Sequence, residues 1–288
     1  QVYRGMDIAT AKPTLSQRER VGHHLINILD PADTYNAAIF RDRALKKIAA
    51  VRSRGRLPLV VGGSGLYLRA LVDGLFPAPS VDREYRRLLY REEEEKGRGH
   101  LHRLLSDRDP AAAERIHPHN LKRIVRALEV FKVTGRPISQ WQTQWREFQS
   151  GAEPETDVGE ESDFVMIGLT RPRDELYRRI DRRTEKMFEE GLIEETEALL
   201  AAGLDRDQPS WKALGYREAA AFLAGDYPLE EAIRRLARNT RRYAKRQLTW
   251  WRKDCRIRWI EPDTIDSPEK TAVKITDILE EERSLRTG

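Results

Sequence analysis

The stretch LPLVVGGSGLYLRALV (57–72) constrains the fold more than any other in this 288-residue chain. LPLVV (57–61) is a short apolar run that predicts a buried strand, GGSG (62–65) a turn, and LYLRALV a helix by its apolar spacing. Strand, glycine turn and helix together form the building block of a parallel α/β sheet. A helix is also expected just before it, from Asn36 to Arg54. There Ala38, Ala44, Leu45, Ile48 and Val51 recur at helical spacing, and Gly55 follows as a stop signal. Glycines at such a turn let a ligand approach the backbone, and the following helix N-terminus carries unpaired N–H groups and partial positive charge. Ser64 suits a cap or a ligand contact. A plain tight turn explains GGSG equally well, and no Lys follows the glycines as in G-x-x-x-x-G-K-[ST].

Beyond this unit the chain organises simply. Gln1-Val2-Tyr3-Arg4-Gly5 reads as the end of a strand-like run and a turn. FPAPS (76–80) is punctuation, and from Asp82 to Trp145 the pattern is helical, broken at Gly97, Pro110, Pro118 and Gly135-Arg136-Pro137. SGAEPETDVGEESD (150–163) holds six acids and no base and reads as an exposed linker. FVMIGLT (164–170) returns to strand character, a helix follows from about Arg173 to Glu190, and CRIRWI (255–260) is a further strand. The expected architecture is an α/β core, residues 1–77 and 160–288, interrupted by an all-helical insertion at 78–159.

Composition excludes several classes. No apolar run approaches the roughly 18–20 residues that cross a bilayer. One cysteine, Cys255, leaves no intrachain disulfide and no cysteine-rich metal site. The pairs His23-His24 and His117/His119 lack the i, i+4 spacing of a helical zinc motif, so no metal-ligating residue is assigned. The net charge is only +5, but from Ile233 to Arg258 eleven Lys/Arg face one acid, Asp254. That concentration points to a polyanionic partner.

Within it, IRRLARNTRRYAKRQLTWWRK (233–253) predicts a helix. Ile233, Leu236, Thr240, Ala244, Leu248 and Trp251 share one face, and Arg234, Arg238, Arg241 and Lys245 share the next. A solvated face normally mixes signs, so phosphate binding is the favoured reading. Three weaker candidates join it. HPHNLKRIVRALEVF (117–131) places Lys122 and Arg126 on one helix face. LYRRIDRRTEKM (176–187) projects Arg179 and Arg183 together, spaced to clamp a diphosphate, although Asp174, Glu175, Asp181 and Glu185 supply ordinary ion-pair partners. SWKALGYRE (210–218) sets Trp211, Tyr216 and Arg217 around Gly215, an arrangement able to stack a base or simply to fill a core.

QVYRGMDIATAKP, LVVGGSGLYL, HNLKRIVRALEVF, ALGYRE and AKRQLTWWRKD, in this order and across nearly the whole chain, resemble the tRNA dimethylallyltransferases (tRNA isopentenyltransferases). Ala9 departs from that pattern, which usually has Gly. The resemblance implies a P-loop-NTPase-like, nucleotide-binding (ATP-binding) type of parallel-sheet core, whose first strand and phosphate loop are expected ahead of Gln1 together with an Asp acting as general base. No catalytic residue is therefore expected within the chain, and the polypeptide from Gln1 to Gly288 alone is expected to be inactive. The implied reaction moves a dimethylallyl group from dimethylallyl diphosphate to N6 of adenosine 37 in tRNA, with Mg²⁺.

By the same resemblance Gln1 lies beside the target adenine, and Ser64 and Arg86 contact tRNA near the reaction channel. Lys122, Arg123, Ile124, Val125 and Arg126 contact the anticodon arm, as do Ala213, Leu214, Gly215, Tyr216, Arg217 and Glu218. Lys245, Arg246 and Arg252 line the RNA surface. The insertion is expected to grip the anticodon stem loop. A cytoplasmic monomer with no membrane attachment completes the expectation. An adenylate isopentenyltransferase acting on free nucleotides, a P-loop small-molecule kinase and a non-catalytic RNA-binding module are the alternatives.

Overall fold

Backbone pairing in the computed structural model, which describes residues 1–75, 82–141, 164–205, 207–261 and 267–287, is parallel wherever strands meet. Strand β1 (Met166–Leu169) pairs with β2 (Ile257–Ile260) in the register Met166↔Ile257 to Leu169↔Ile260. A parallel bridge joins Tyr3 to Leu29. Between the strands the chain runs through α9 (Arg173–Glu189), α10 (Leu192–Ala201), α11 (Tyr216–Leu223) and α12 (Leu229–Trp251), the long crossover that parallel strands require. Ahead of them stand α1 (Leu15–Arg20), α2 (Ala37–Arg52) and α3 (Gly65–Val72), then α4 (Arg83–Lys96), α5 (His100–Arg108), α6 (Pro110–Arg115), α7 (Leu121–Thr134) and α8 (Ile138–Trp141); α13 (Pro268–Thr287) comes last. The chain divides into two compact units, Gln1–Val72 with Ser162–Gly288, and Asp73–Glu161. FPAPS and the acidic stretch 150–163 fall outside the described residues.

The helices begin where local chemistry satisfies their first N–H groups. Asn36 Oδ1 accepts from Ala38 and Ile39 N–H at 3.0 Å each to open α2, and Asp82 Oδ1 accepts from Tyr85 N–H at 2.9 Å to open α4. Acids occupy the first turns of α9 (Asp174, Glu175) and α12 (Glu230, Glu231), where the helix dipole favours them.

In the first unit the main core joins Met6, Met187, Leu192, Leu199, Trp211, Tyr216, Ala219 and Leu236. A smaller cluster under α2 and α3 holds Ala44, Ile48 and Leu71.

One expectation fails here. LPLVV is neither a strand nor buried: Leu57, Leu59 and Val61 are 65%, 71% and 93% exposed. An apolar run becomes a strand only when another backbone supplies its ladder partners, and no described residue pairs with this one. Two helices had escaped notice. α1 buries nothing, so it lacks an apolar period, but its capping box of Thr14 and Gln17 was legible. α13 partly covers Thr271, Ile275, Ile278, Leu279 and Glu282, which are spaced as one helix face.

The second unit packs α4 to α8 around Leu89, Leu101, Leu105, Ile124, Val125, Leu128 and Val130. At its centre the fully buried Glu129 takes Arg86 in a two-pronged pair (Nε–Oε1 2.9 Å, Nη2–Oε2 2.8 Å), Arg126, and the Asp82 N–H at 2.8 Å. Burial alone would raise the Glu129 carboxyl, but the two arginines outweigh it and hold it below its ordinary value. Glu129→Gln is expected to lower stability by about 2 kcal/mol near neutral pH, less than a fully buried pair because both arginines keep some solvent contact. A lowered carboxylate contributes stability above its ordinary value of 4.5 and loses it as pH falls through the folded value. The gap between wild type and variant should therefore close in denaturant titrations run below about pH 4.5.

Candidate functional site

The first twelve residues form a loop tied to α10 and α11. Residues 7–12 make a single helix-like turn, with Ala11 N–H bonded to Ile8 O and Lys12 N–H to Asp7 O at 3.0 Å each. Its leading N–H groups, on Asp7 and Ile8, point at the Glu195 carboxylate at 3.0 and 3.1 Å. At its far end the Gln1 Nε2 donates to Thr10 O and Ala11 O, both at 3.0 Å. Two carbonyls fix which end of the Gln1 amide faces the turn, so Oε1 is left as an acceptor with no partner among the described residues. Lys12, whose side chain is 3% exposed, binds Tyr3 O at 2.7 Å, Asn27 Oδ1 at 2.6 Å and the Asp7 carboxylate.

ALGYRE (213–218) packs against this loop. Tyr216 is fully buried and donates its hydroxyl to Glu195 Oε1 at 2.6 Å. Burial, reinforced by Glu195, pushes that hydroxyl's pKa well up. Tyr216 therefore serves the core, as does Trp211, and neither ring is presented to stack a base. Arg217 remains exposed and donates to Glu218 at 3.0 Å, while the buried Glu218 also accepts from Asn239 (2.8 Å) and Gly215 N–H (3.0 Å). Ala213 and Leu214 are half-buried, and Gly215 is buried at φ +103°.

The GGSG turn meets the C-terminal half of α12. A Cβ at Gly63 would overlap Gln247 Nε2, and one at Gly65 would lie 2.5 Å from Trp250 Nε1. These glycines therefore make room for side chains of the same chain, whatever else approaches the turn. Ser64, half-buried between them, has no hydrogen-bond partner for its hydroxyl among the described residues. The junction is fixed from below: Arg69 sits 5.7 Å from the Trp250 ring and 3.8 Å from the buried Asp254, which also holds Arg256 at 2.8 Å. Burial would raise Asp254, but Arg256 and Arg69 keep it below its ordinary value. Gly65→Ala is expected to force the Trp250 indole aside at about 2 kcal/mol. Gly62→Ala, whose Cβ meets nothing within 4 Å, should be near neutral. Paired thermal melts of the two variants check this.

Along α12, Ala232, Leu236, Ala237 and Trp251 are buried. At 3.6 residues per turn, Arg238, Arg242, Lys245, Arg246 and the C-cap residue Arg252 fall on the opposite side, and all are exposed. The apolar face read from periodicity is the buried side, and Arg238 and Lys245 of the cationic face lie on the exposed one. Arg234 pairs with Glu231 at 2.7 Å, and Arg241 turns inward to Asp181 at 3.3 Å. Arg242, Lys245, Arg246 and Arg252 have no acid within ion-pair distance among the described residues.

On α9, Arg179 has Glu175 at 3.8 Å, whereas Arg183 has no acidic partner among the described residues. Protein packed around the exposed Arg183 guanidinium lowers its pKa by desolvation. In the second unit Lys122 and Arg123 are exposed, while Ile124 and Val125 are core side chains, so the contacts expected of them do not arise from their side chains. Arg86 and Arg126 both engage Glu129, which fixes their position.

The IPP transferase family model matches residues 1–254. A tRNA dimethylallyltransferase of Geobacter sulfurreducens is 46% identical over 275 residues, 95% of this chain and 85% of that protein. The chain belongs to the IPP transferase family. Among solved structures, the tRNA isopentenylpyrophosphate transferase of Bacillus halodurans is 41% identical with a TM-score of 0.68, covering 100% of this chain and 88% of that one. A eukaryotic dimethylallyltransferase acting on tRNA gives 25% identity and a TM-score of 0.75, over 98% of this chain and 71% of that one.

For this member of the IPP transferase family, no helix among the described residues is long and apolar enough to cross a membrane. No three His, Cys, Asp or Glu side chains converge among those residues either. The described carboxylates therefore make no Mg²⁺ cage of their own. Sequence reading had given no role to Lys12, Glu195 and Gln247, whose partners lie on other segments of the chain, nor to Asp254 as the anchor of Arg69 and Arg256.

Proposed function

We propose that this protein transfers the dimethylallyl group of dimethylallyl diphosphate to N6 of adenosine 37 in tRNA, giving N6-isopentenyladenosine. In the reaction the C1–O bond of the donor breaks, a C1–N6 bond forms, the N6 proton passes to a carboxylate and diphosphate leaves. An exocyclic amine is a poor nucleophile because its lone pair is delocalised into the ring, so the reaction needs a base, stabilisation of the leaving group and an adenine drawn from its stack. The base is assigned to no described carboxylate.

The observation that carries the reading is the row of cations on α12 that have no acid partner among the described residues, on the side opposite its buried face. A free nucleotide needs no such row, whereas the phosphates of an RNA stem do. Lys245, Arg246 and Arg252 take backbone phosphates, and Gln1 Oε1 is an acceptor suited to an amino N–H of the adenine. Ser64 is offered as a tRNA contact near the reaction channel. Arg179 and Arg183 are offered for the diphosphate, with Arg183 favoured because no acid among the described residues pairs with it. Mg²⁺ would enter with the diphosphate, since it keeps several waters and needs only one or two carboxylates. In the insertion unit, Lys122 and Arg123 are the residues available to the anticodon arm. The reading includes a cytoplasmic monomer, which sedimentation checks as regards assembly.

Incubating the full-length protein with dimethylallyl diphosphate and either tRNA or AMP tests the proposal. Prenylation of tRNA at adenosine 37, abolished in a tRNA carrying guanosine there, is the expected result. Prenylation of AMP with tRNA inert, or phosphoryl transfer from ATP to a small molecule, would replace it with one of the alternatives.

A further inference from the structure

The structure assigns to Glu195 the role of a positioning residue: its carboxylate caps the 7–12 turn and thereby sets where Gln1 presents its side-chain acceptor. We infer this role from a chain of contacts, and it rests on the transfer reaction proposed above.

The Asp7 and Ile8 N–H groups open a one-turn helix, and such groups have no partner within the turn. Glu195, which lies on α10 and nearly two hundred residues away in sequence, supplies both acceptors. Its remaining acceptor capacity takes the Tyr216 hydroxyl at 2.6 Å, so one carboxylate collects three donors from two separate segments. The other end of the turn is held by Gln1, whose Nε2 bonds the Thr10 and Ala11 carbonyls. Thr10 Oγ1 donates to Met6 O at 2.7 Å, which ties the turn to the buried Met6. A shift of the turn on Glu195 therefore carries the Gln1 amide with it.

The Glu195 carboxylate is engaged by donors of the protein itself, Asp7 N–H, Ile8 N–H and the Tyr216 hydroxyl. Its effect on the reaction passes through the backbone of the turn, which separates it from a residue that binds RNA phosphate.

Glu195→Gln is nearly isosteric but replaces one acceptor oxygen by an NH₂ that faces N–H donors. Expected in the full-length protein are faster amide exchange at Asp7 and Ile8, a kcat for prenyl transfer lower by about tenfold, and a tRNA Kd within about twofold of wild type, since phosphate contacts dominate affinity. Tyr216→Phe removes one donor of three and should lower kcat in the same direction by a smaller factor. A kcat unchanged in Glu195→Gln despite faster exchange, or exchange unchanged at Asp7 and Ile8, would overturn the assignment. If Glu195→Gln loses the fold altogether, Tyr216→Phe decides: kcat, KM and melting temperature falling together would mark a structural role only. Exchange at Asp7 and Ile8 reads the capping geometry even if the wild-type protein prenylates nothing, so failure of the reaction reading and failure of this one are distinct results.

Discussion

Replacing Arg242, Lys245, Arg246 and Arg252 together by alanine is expected to weaken tRNA binding about a thousandfold at roughly 0.1 M salt, with little change in the melting temperature. Each cation that meets a phosphate releases about 0.7–0.9 of a counterion, which at that salt is worth a factor of about six, and four such contacts multiply to about 10³. The plot of log Kd against log salt should flatten by about three. Because these four side chains have no acid to release among the described residues, their removal leaves no buried charge behind. The contrasting pair is Arg234 and Arg235, both of which engage Glu231, at 2.7 and 2.6 Å. Their replacement by alanine should change tRNA affinity little. Equal losses from the two sets, measured by filter binding across a salt series, would mean that diffuse charge rather than one helix face holds the RNA.

Gly215→Ala is expected to destabilise the protein by about 3 kcal/mol, from two independent causes. At φ +103° an L side chain is strained, at about 1–3 kcal/mol. The new Cβ would also lie 2.5 Å from the Ala9 Cβ, an overpacking term of about 1–3 kcal/mol. The double variant Ala9→Gly/Gly215→Ala separates them. It should recover the packing term and leave the strain, so about half of the loss returns in urea titrations. Full recovery would mean that the backbone at residue 215 relaxes. The same contact gives the departure at Ala9 a physical setting: the methyl group of Ala9 occupies space that only a glycine at 215 leaves open.

Much of the helical framework was legible from residue order. Asn36 as a cap, Gly135 as a stop at φ +66° and the apolar period of 121–134 specify their helices locally, because caps and 3.6-residue spacing act within one or two turns. The same locality explains the failure at LPLVV. An apolar pentapeptide says that burial is favourable but not which backbone will pair with it. It also explains why residue order left Tyr216 open between a stacking platform and a core side chain, since nothing near it in sequence reveals the Glu195 carboxylate that takes its hydroxyl inside the core.

For the candidate site, the sequence by itself determined the order of the motifs, the crowding of cations into one long helix and the presence of glycines where segments approach closely. Tertiary structure alone decided which of those cations remain available. Arg241 is neutralised by Asp181, sixty residues away, and Arg86 by Glu129, while Lys245 and Arg252 meet no acid among the described residues. It also decided that Gly63 and Gly65 accommodate Gln247 and Trp250. Periodicity sets the angle at which a side chain leaves its own helix, but a Coulomb pair or a steric contact depends on distance to another element, and that distance exists only once the chain has folded.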